Sequence, residues 1–467
     1  MGFETTPGAA TDPTLAPPEL HRLAHGFVAL DANGIHHPGT PRGRSFVYTP
    51  YQEITHVACS SRALWLGAKR SVYVLPRQIF LEPGAPERLV RSLLERIARR
   101  PGGDRQLARM AAIETGSHQR APTRATWGLT LLCLAIYPLQ LLIGRDVQEV
   151  GFFNALLVAD GDWWRVITAN LLHAYPTVPV HLVLNLLGLV ALGTLVERPL
   201  GAARTLVVMG ASGLAAMLAS GWAQHANVVG VSGVVFGLLG AVSWLELRFA
   251  DRLPAWWRVP RRALFVMIAI SAGLALAVPI IAWAAHLGGF VAGAVAASLL
   301  SPRPEPSPAP AWVRAGGGAV VAATAVALAA AGGELARPGA YAPQLAARVA
   351  HMEGIDAVTL NEYAWTIATD PEASRELLES ALAMAERAVA ETDRTVPEIL
   401  DTLAELQFLL GEREAAVATI YEAIEKRPFE PYYQRQLQRF LEERTPLEQR
   451  EPEAEPPGVP DGPGIRV

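Results

Sequence analysis

Apolar residues follow three regimes along the chain. Between residues 25 and 100 they form short runs, at 27–30, 46–48, 54–59, 63–66 and 72–75, split by turn signals such as Asp31-Ala32-Asn33-Gly34. That spacing predicts strands. A helix closes the region, with Pro86 near its start and Leu89, Leu93, Leu94 and Ile97 on one face. In the middle of the chain the runs lengthen to the ~20 residues that cross a bilayer core. Six fall at about 126–144, 178–196, 204–222, 230–249, 262–280 and 281–300, and a seventh, rich in Ala and Gly, at about 312–332. Past Gly333 the pattern is that of soluble helices.

The expected fold class is therefore mainly α: a polytopic membrane helical bundle between a soluble β-rich unit and a soluble helical unit. The boundaries read as a disordered Pro/Thr/Ala-rich tail (1–24), a β-rich domain (25–100), a basic linker (101–124), a six-span core (125–300), a Pro-rich linker (301–311), a seventh span (312–332), a helical domain (333–445) and a disordered acidic tail (446–467). Strands closed by one helix resemble, in architecture, a small pleckstrin-homology-like barrel. In the last unit Leu403, Ala404, Gly411, Ala416, Ala423 and Pro428 stand at tetratricopeptide-repeat offsets. Residues 361–391 resemble a degenerate copy through Ala364, Ala381, Ala385 and Ala388, and two repeats call for a capping helix at 430–443. Scaffolds of this kind imply a protein partner.

Composition supports a membrane protein, with 51% hydrophobic residues and a net charge of only −4, which gives no reason to expect nucleic acid. Cys59 and Cys133 fall in different segments, so neither a disulfide framework nor a metal site is expected, and no cofactor. Nothing at the start reads as a cleaved leader. Arginine sets the orientation. Loops after spans 2, 4 and 6 carry Arg198 and Arg204, then Arg248, Arg252, Arg258, Arg261 and Arg262, then Arg303 and Arg314. The loop after span 1 carries only Arg145 and Arg165. Basic loops stay inside, so the N-terminus is expected in the cytoplasm and, past a seventh span, the C-terminal domain outside. Lysine is confined to Lys69 and Lys426, an arginine-favouring composition that suggests a bacterial cytoplasmic membrane.

Polar groups at membrane depth are costly and face a bundle interior or water. Ser232 stands in Gly230-Val231-Ser232-Gly233 at the head of span 4, and His286 in Ala285-His286-Leu287-Gly288-Gly289 within span 6. His286, Gly289 and Gly293 share one helix face, while Gly233, Gly237 and Gly240 line another. Two small-residue faces allow close contact, bringing Ser232 and His286 within hydrogen-bond reach. His181 and Asn185, one turn apart on span 2, could with the Ser232 backbone N–H stabilise a carbonyl oxygen under attack.

With these residues assembled, the chain resembles a rhomboid intramembrane serine protease over roughly residues 125–300. The matching residues are Trp164-Arg165, His181-x-x-x-Asn185, Glu197, Gly230-x-Ser232-Gly233 and Ala285-His286 with Gly289-x-x-x-Gly293. The resemblance implies a Ser232 nucleophile and a His286 general base with no acidic third member, and an oxyanion hole from His181, Asn185 and the Ser232 N–H. It implies structural roles for Trp164, Arg165 and Glu197, bracing a membrane-embedded loop. Substrates would be transmembrane proteins reached through the lipid bilayer. Phe236 stands where the family often has a tyrosine on the catalytic histidine, and 173–180 is longer than usual. Competing readings are a catalytically silent rhomboid-like adaptor and a channel or transporter.

Overall fold

The computed structural model describes residues 19–40, 45–118, 122–174, 179–225, 227–278, 281–300, 308–337, 341–371 and 373–442. The expected tail at 446–467, most of the 1–24 tail and of the 301–311 linker, the turn near Pro279, and part of 173–180 lie outside these residues.

The N-terminal unit pairs β1 (Glu19–Leu23), β2 (Gly26–Leu30), β3 (Gly34–Pro38) and β4 (Phe46–Pro50) in one antiparallel meander. A second antiparallel sheet holds β5 (Ile54–Cys59), β6 (Ala63–Ala68) and β7 (Ser71–Pro76). Val28, Leu30, Ile35, Leu64, Leu66 and Leu75 fill the core with Leu89, Leu93 and Ile97 of α1 (Ala85–Ala98).

Two expectations need correction here. The 1–24 tail contains β1, because alternation in Glu-Leu-His-Arg-Leu turns His21 and Leu23 inward and outweighs the Pro-rich composition before it. The 101–124 linker contains α2 (Gly103–His118), which belongs to the β-rich unit. Its Met110 and Ile113 are buried, and Gln106 Nε2 donates to the carbonyls of Tyr51 (2.7 Å) and Ile54 (2.8 Å).

The middle of the chain is helical: α3 (Arg124–Ile143), three short helices α4 (Arg145–Gly151), α5 (Ala155–Ala159) and α6 (Arg165–Thr168), then α7 (Val180–Leu200), α8 (Ala202–Trp222), α9 (Ser232–Phe249), α10 (Arg261–Ala277), α11 (Trp283–Leu300) and α12 (Ala311–Leu335). Among the described residues six helices are long and apolar enough to span a membrane: α3, α7, α8, α9, α11 and α12. The chain is a multi-pass integral membrane protein. The expected fifth span, 262–280, is a 17-residue helix, about 25 Å long and at the lower limit for crossing. Leu264 is the one buried side chain among those described on α10.

Helix α9 is the most enclosed span and packs against α7, α8 and α11. Its approach to α11 is backbone on backbone. A Cβ at Gly289 would lie 2.1 Å from the Gly233 carbonyl oxygen, and one at Gly293 would lie 2.0 Å from that of Gly237. Only glycine fits such a seam. The expected seventh span, 312–332, is helix α12, which runs along α8.

The last unit comprises α13 (Tyr341–His351), α14 (Ala357–Ala368), α15 (Arg375–Glu391), α16 (Pro397–Leu409), α17 (Arg413–Lys426) and α18 (Pro431–Leu441). Ala364, Ala381, Ala385, Ala388, Ala404, Ala416 and Ala423 are fully buried between successive helices, where a larger side chain would part them.

The β-rich unit and the C-terminal helical unit touch opposite ends of α9. At its C-terminal end the buried Arg258 pairs with Glu246 (2.6 and 3.0 Å) and donates to Thr55 Oγ1 (3.3 Å) and the Ala68 carbonyl (2.7 Å) of the β-rich unit. At its N-terminal end the α13–α14 region packs on the loop between α3 and α7 through Tyr341, Arg348 and Tyr363.

Candidate active site

The site begins with a turn. Val228 exchanges two backbone hydrogen bonds with Phe153, both 2.9 Å, and Gly230 N–H donates to the Ala169 carbonyl at 2.8 Å. These bonds fix the chain entering α9 against the α3–α7 loop. Gly230 has φ +124°, where an L side chain is strained. A Cβ there would also sit 2.9 Å from His181 Cε1 and 3.8 Å from Ser232 Oγ. The turn thus brings the serine and the span-2 histidine to one point. Ser232 opens α9, where backbone N–H groups lack intrahelical acceptors and the helix dipole is positive.

His286 stands in the first turn of α11, across the glycine seam. Its Nε2 is 2.9 Å from Ser232 Oγ. The ring lies flat under Phe236, centroids 4.1 Å apart and planes 9° from parallel. His286 Nδ1 is buried without a hydrogen-bond partner among the described residues. A serine hydroxyl donating to Nε2 requires the proton on Nδ1.

His181 takes the opposite tautomer for a local reason. The Ala174 N–H donates to His181 Nδ1 (3.1 Å), so that nitrogen is the acceptor and Nε2 carries the proton, on the side facing Gly230. Asn185 Nδ2 donates to the His181 carbonyl at 2.9 Å, which holds the amide on the same face of α7. The arrangement offers a hydroxyl, an acceptor nitrogen for its proton, and a donor, His181 Nε2–H, beside the same turn, groups that acyl transfer uses.

The expected structural residues divide. The final carbonyls of α4 and the residue after it are orphans of a helix end, and the loop's own side chains take them. Arg165 donates to Glu149 (2.7 Å) and Phe152 (3.1 Å), Trp164 to Val150 (3.0 Å), and Thr168 to Gly151 (2.8 Å). Arg165 is fully buried and paired with Asp162 (2.8 Å). Trp164 and Arg165 therefore brace the loop. Glu197 does not, a correction to the expectation. It accepts from Ala125 N–H (2.9 Å), Thr126 N–H (2.8 Å) and Thr126 Oγ1 (2.7 Å), capping α3 at the end where unpaired N–H groups and the dipole favour a carboxylate.

Several polar residues at this end carried no sequence signal. Asn154 caps α5 by accepting from Leu156 and Leu157, Gln140 bonds Gln148 and the His173 carbonyl, and Tyr341 and Tyr363 reach in from the C-terminal unit. Apart from the local Asn154 cap, their partners lie between 8 and 209 residues away, so no short pattern marks them.

A family description, the rhomboid domain, matches residues 160–303. The chain is 35% identical to Rhomboid protease GluP of Bacillus subtilis (strain 168) over 144 residues, 31% of this chain and 27% of that protein. It is 31% identical to RHOMBOID-like protein 4 of Arabidopsis thaliana over 173 residues, 36% of this chain and 39% of that one. It is 29% identical to Rhomboid protease GlpG of Klebsiella pneumoniae (strain 342) over 179 residues, 34% of this chain and 60% of that one. The match thus spans less than two thirds of each of these relatives.

Proposed function

We propose, from the premise that this chain belongs to the rhomboid family, that it is an intramembrane serine endopeptidase cutting peptide bonds in or near transmembrane segments. The observation that carries this reading is the 2.9 Å contact of Ser232 Oγ with His286 Nε2. Ser232 gives its proton to Nε2 as Oγ attacks the scissile carbonyl. His286 then protonates the leaving amine, and water hydrolyses the acyl-enzyme with His286 again as base. His181 Nε2–H, the Ser232 N–H and Asn185 Nδ2 stabilise the oxyanion, a contribution of several kcal/mol where water is scarce. Gly230, Gly233, Gly289 and Gly293 set the distance, and Phe236 sets the plane of the base.

The substrate's helix enters from the lipid, and its scissile residues unwind, since a hydrogen-bonded helix shields its carbonyls. The sparsely packed α10 favours an entrance on its side of the bundle. A bacterial cytoplasmic membrane, with the β-rich unit inside and the C-terminal unit outside, is part of the same reading. In its favour, the β-rich unit contacts the Arg-rich α9–α10 loop, and the C-terminal unit contacts the loop beside Ser232. The exposed faces of α14–α18 are left for a protein partner.

The test is cleavage of a reporter transmembrane substrate and labelling of Ser232 by a fluorophosphonate. The proposal expects both to vanish in Ser232→Ala and to fall by orders of magnitude in His286→Ala, with both variants folded. A silent adaptor predicts binding without cleavage or label. A channel predicts flux without label.

A further inference from the structure

The C-terminal helical unit reaches the site through buried polar contacts. Asn154 and Asn227, 5% and 7% exposed, flank the Phe153–Val228 backbone pair, each one residue away from it. Asn154 Oδ1 is committed to capping α5, which leaves Nδ2 as its outward donor. That Nδ2 donates to Tyr363 Oη at 2.6 Å, and Tyr363 Oη donates its one proton to Asn227 Oδ1 at 3.1 Å. Asn154 Nδ2 also lies 3.2 Å from Asn227 Oδ1, closing a triangle. Asn227 holds φ +51°, a left-handed conformation that asparagine tolerates when its side chain is tied.

A second set of contacts lies a few residues away. Arg165 Nη2 donates to Tyr341 Oη at 2.7 Å, and Arg348 pairs with Asp162 (2.6 Å) and Asp160 (3.2 Å). Asp146 accepts from the Tyr341 and Ala342 N–H groups (3.4 and 3.2 Å) at the start of α13.

We propose that the C-terminal unit is a positioning element for the nucleophile, with Tyr363 as its principal contact. The connection is short: Tyr363 to Asn227, Val228 on Phe153, Gly230 on the Ala169 carbonyl, then Ser232. Every link is a hydrogen bond or one to two residues of backbone. Tyr341 steadies the same loop from its other side by occupying the guanidinium edge of Arg165 that the α4 carbonyls leave over. Acyl transfer punishes nucleophile displacements of ~1 Å by about 100-fold, so a tie this close to Ser232 bears on rate. The inference rests on the serine-protease reading.

The experiment uses the full chain in liposomes. Tyr363→Phe removes one hydroxyl; the expected result is a kcat about fivefold lower, the worth of a neutral hydrogen bond, with KM unchanged. Fluorophosphonate labelling of Ser232 slows by the same factor, because that probe needs only the dyad and oxyanion donors. Asn227→Gly, which removes the acceptor, relieves the positive φ and leaves the C-terminal fold untouched, gives the same loss. Phe429→Ser, at a side chain 95% exposed in the turn between α17 and α18, changes neither readout. Normal labelling in both Tyr363→Phe and Asn227→Gly, or a rise in KM alone, overturns the positioning role; the latter would mean that the unit binds substrate. Absence of label on the unaltered chain, or equal label on Ser232→Ala, overturns the protease reading itself and is read before any Tyr363 variant.

Discussion

Phe236 lies flat against His286, its ring 9° from the imidazole plane at 4.1 Å. The two residues come from different helices, α9 and α11, and meet because the glycine seam brings those helices into backbone contact. Among the described residues the imidazole makes one hydrogen bond, Nε2 to Ser232, and its Nδ1 has none. Under the proposed serine-protease reading, this stacking holds the ring where three-residue serine hydrolases use a carboxylate.

Phe236→Ala should free the imidazole to rotate and lower kcat by about tenfold, the cost of losing an aromatic pair of ~1 kcal/mol plus its alignment. Phe236→Tyr should retain most activity, since the stacked face is unchanged. Equal rates for Phe236→Ala and the unaltered chain would show that the ring does not orient the base.

Gly289→Ala inserts a methyl 2.1 Å from the Gly233 carbonyl oxygen, a contact that backbone alone must relieve. The change should destabilise the bundle by about 1–3 kcal/mol, as overpacking does, and abolish labelling of Ser232 by widening the dyad. Ala at Gly318, where a Cβ meets nothing within 4 Å, should be silent in both assays. Thermal unfolding in detergent and probe labelling check the pair.

Docking of the β-rich unit should weaken in acid. His56 is buried at that interface, where Nδ1 accepts from the Ala255 N–H (3.3 Å) and Nε2–H donates to Glu114 (2.9 Å). Burial pulls its pKa below the ordinary 6.5, with Glu114 acting against the shift. The docked state thus binds fewer protons than the undocked one below about pH 6.5, and stability falls as pH drops through that window. Exchange of the Ala255 amide, corrected for intrinsic pH dependence, should accelerate between pH 7 and 5, and His56→Gln should remove the effect. Protection independent of pH would refute it.

Asp401 is buried between α16 and α18, and burial, reinforced by the neighbouring Glu405, raises its carboxyl well above the usual 3.8. The folded unit holds a proton that the unfolded chain releases, so stability declines as pH rises above that value. Asp401→Asn keeps the shape and removes the charge. It should stabilise the C-terminal helices at neutral pH by about 1 kcal/mol or more and flatten the pH dependence. A lower unfolding temperature at pH 7 would contradict this account.

Periodicity located the long apolar helices and the strands β2, β4, β5, β6 and β7, because burial of apolar groups in lipid or in a sheet core imposes a repeat that can be counted. It missed β1, β3 and α2: β1 and β3 join the sheet by backbone pairing with β2, and α2 joins the unit through Gln106 and two distant carbonyls. The sequence by itself determined the membrane class, and it marked Ser232 and His286 as a candidate pair, since titratable groups at membrane depth are costly and two glycine-lined faces allow their helices to meet. Only the tertiary structure decided that Glu197 caps α3, that His181 carries its proton on Nε2, and that Tyr363 and Tyr341 reach the loop beside the nucleophile. Each of these is a hydrogen bond between residues whose separation follows from packing, and packing leaves no period in the chain.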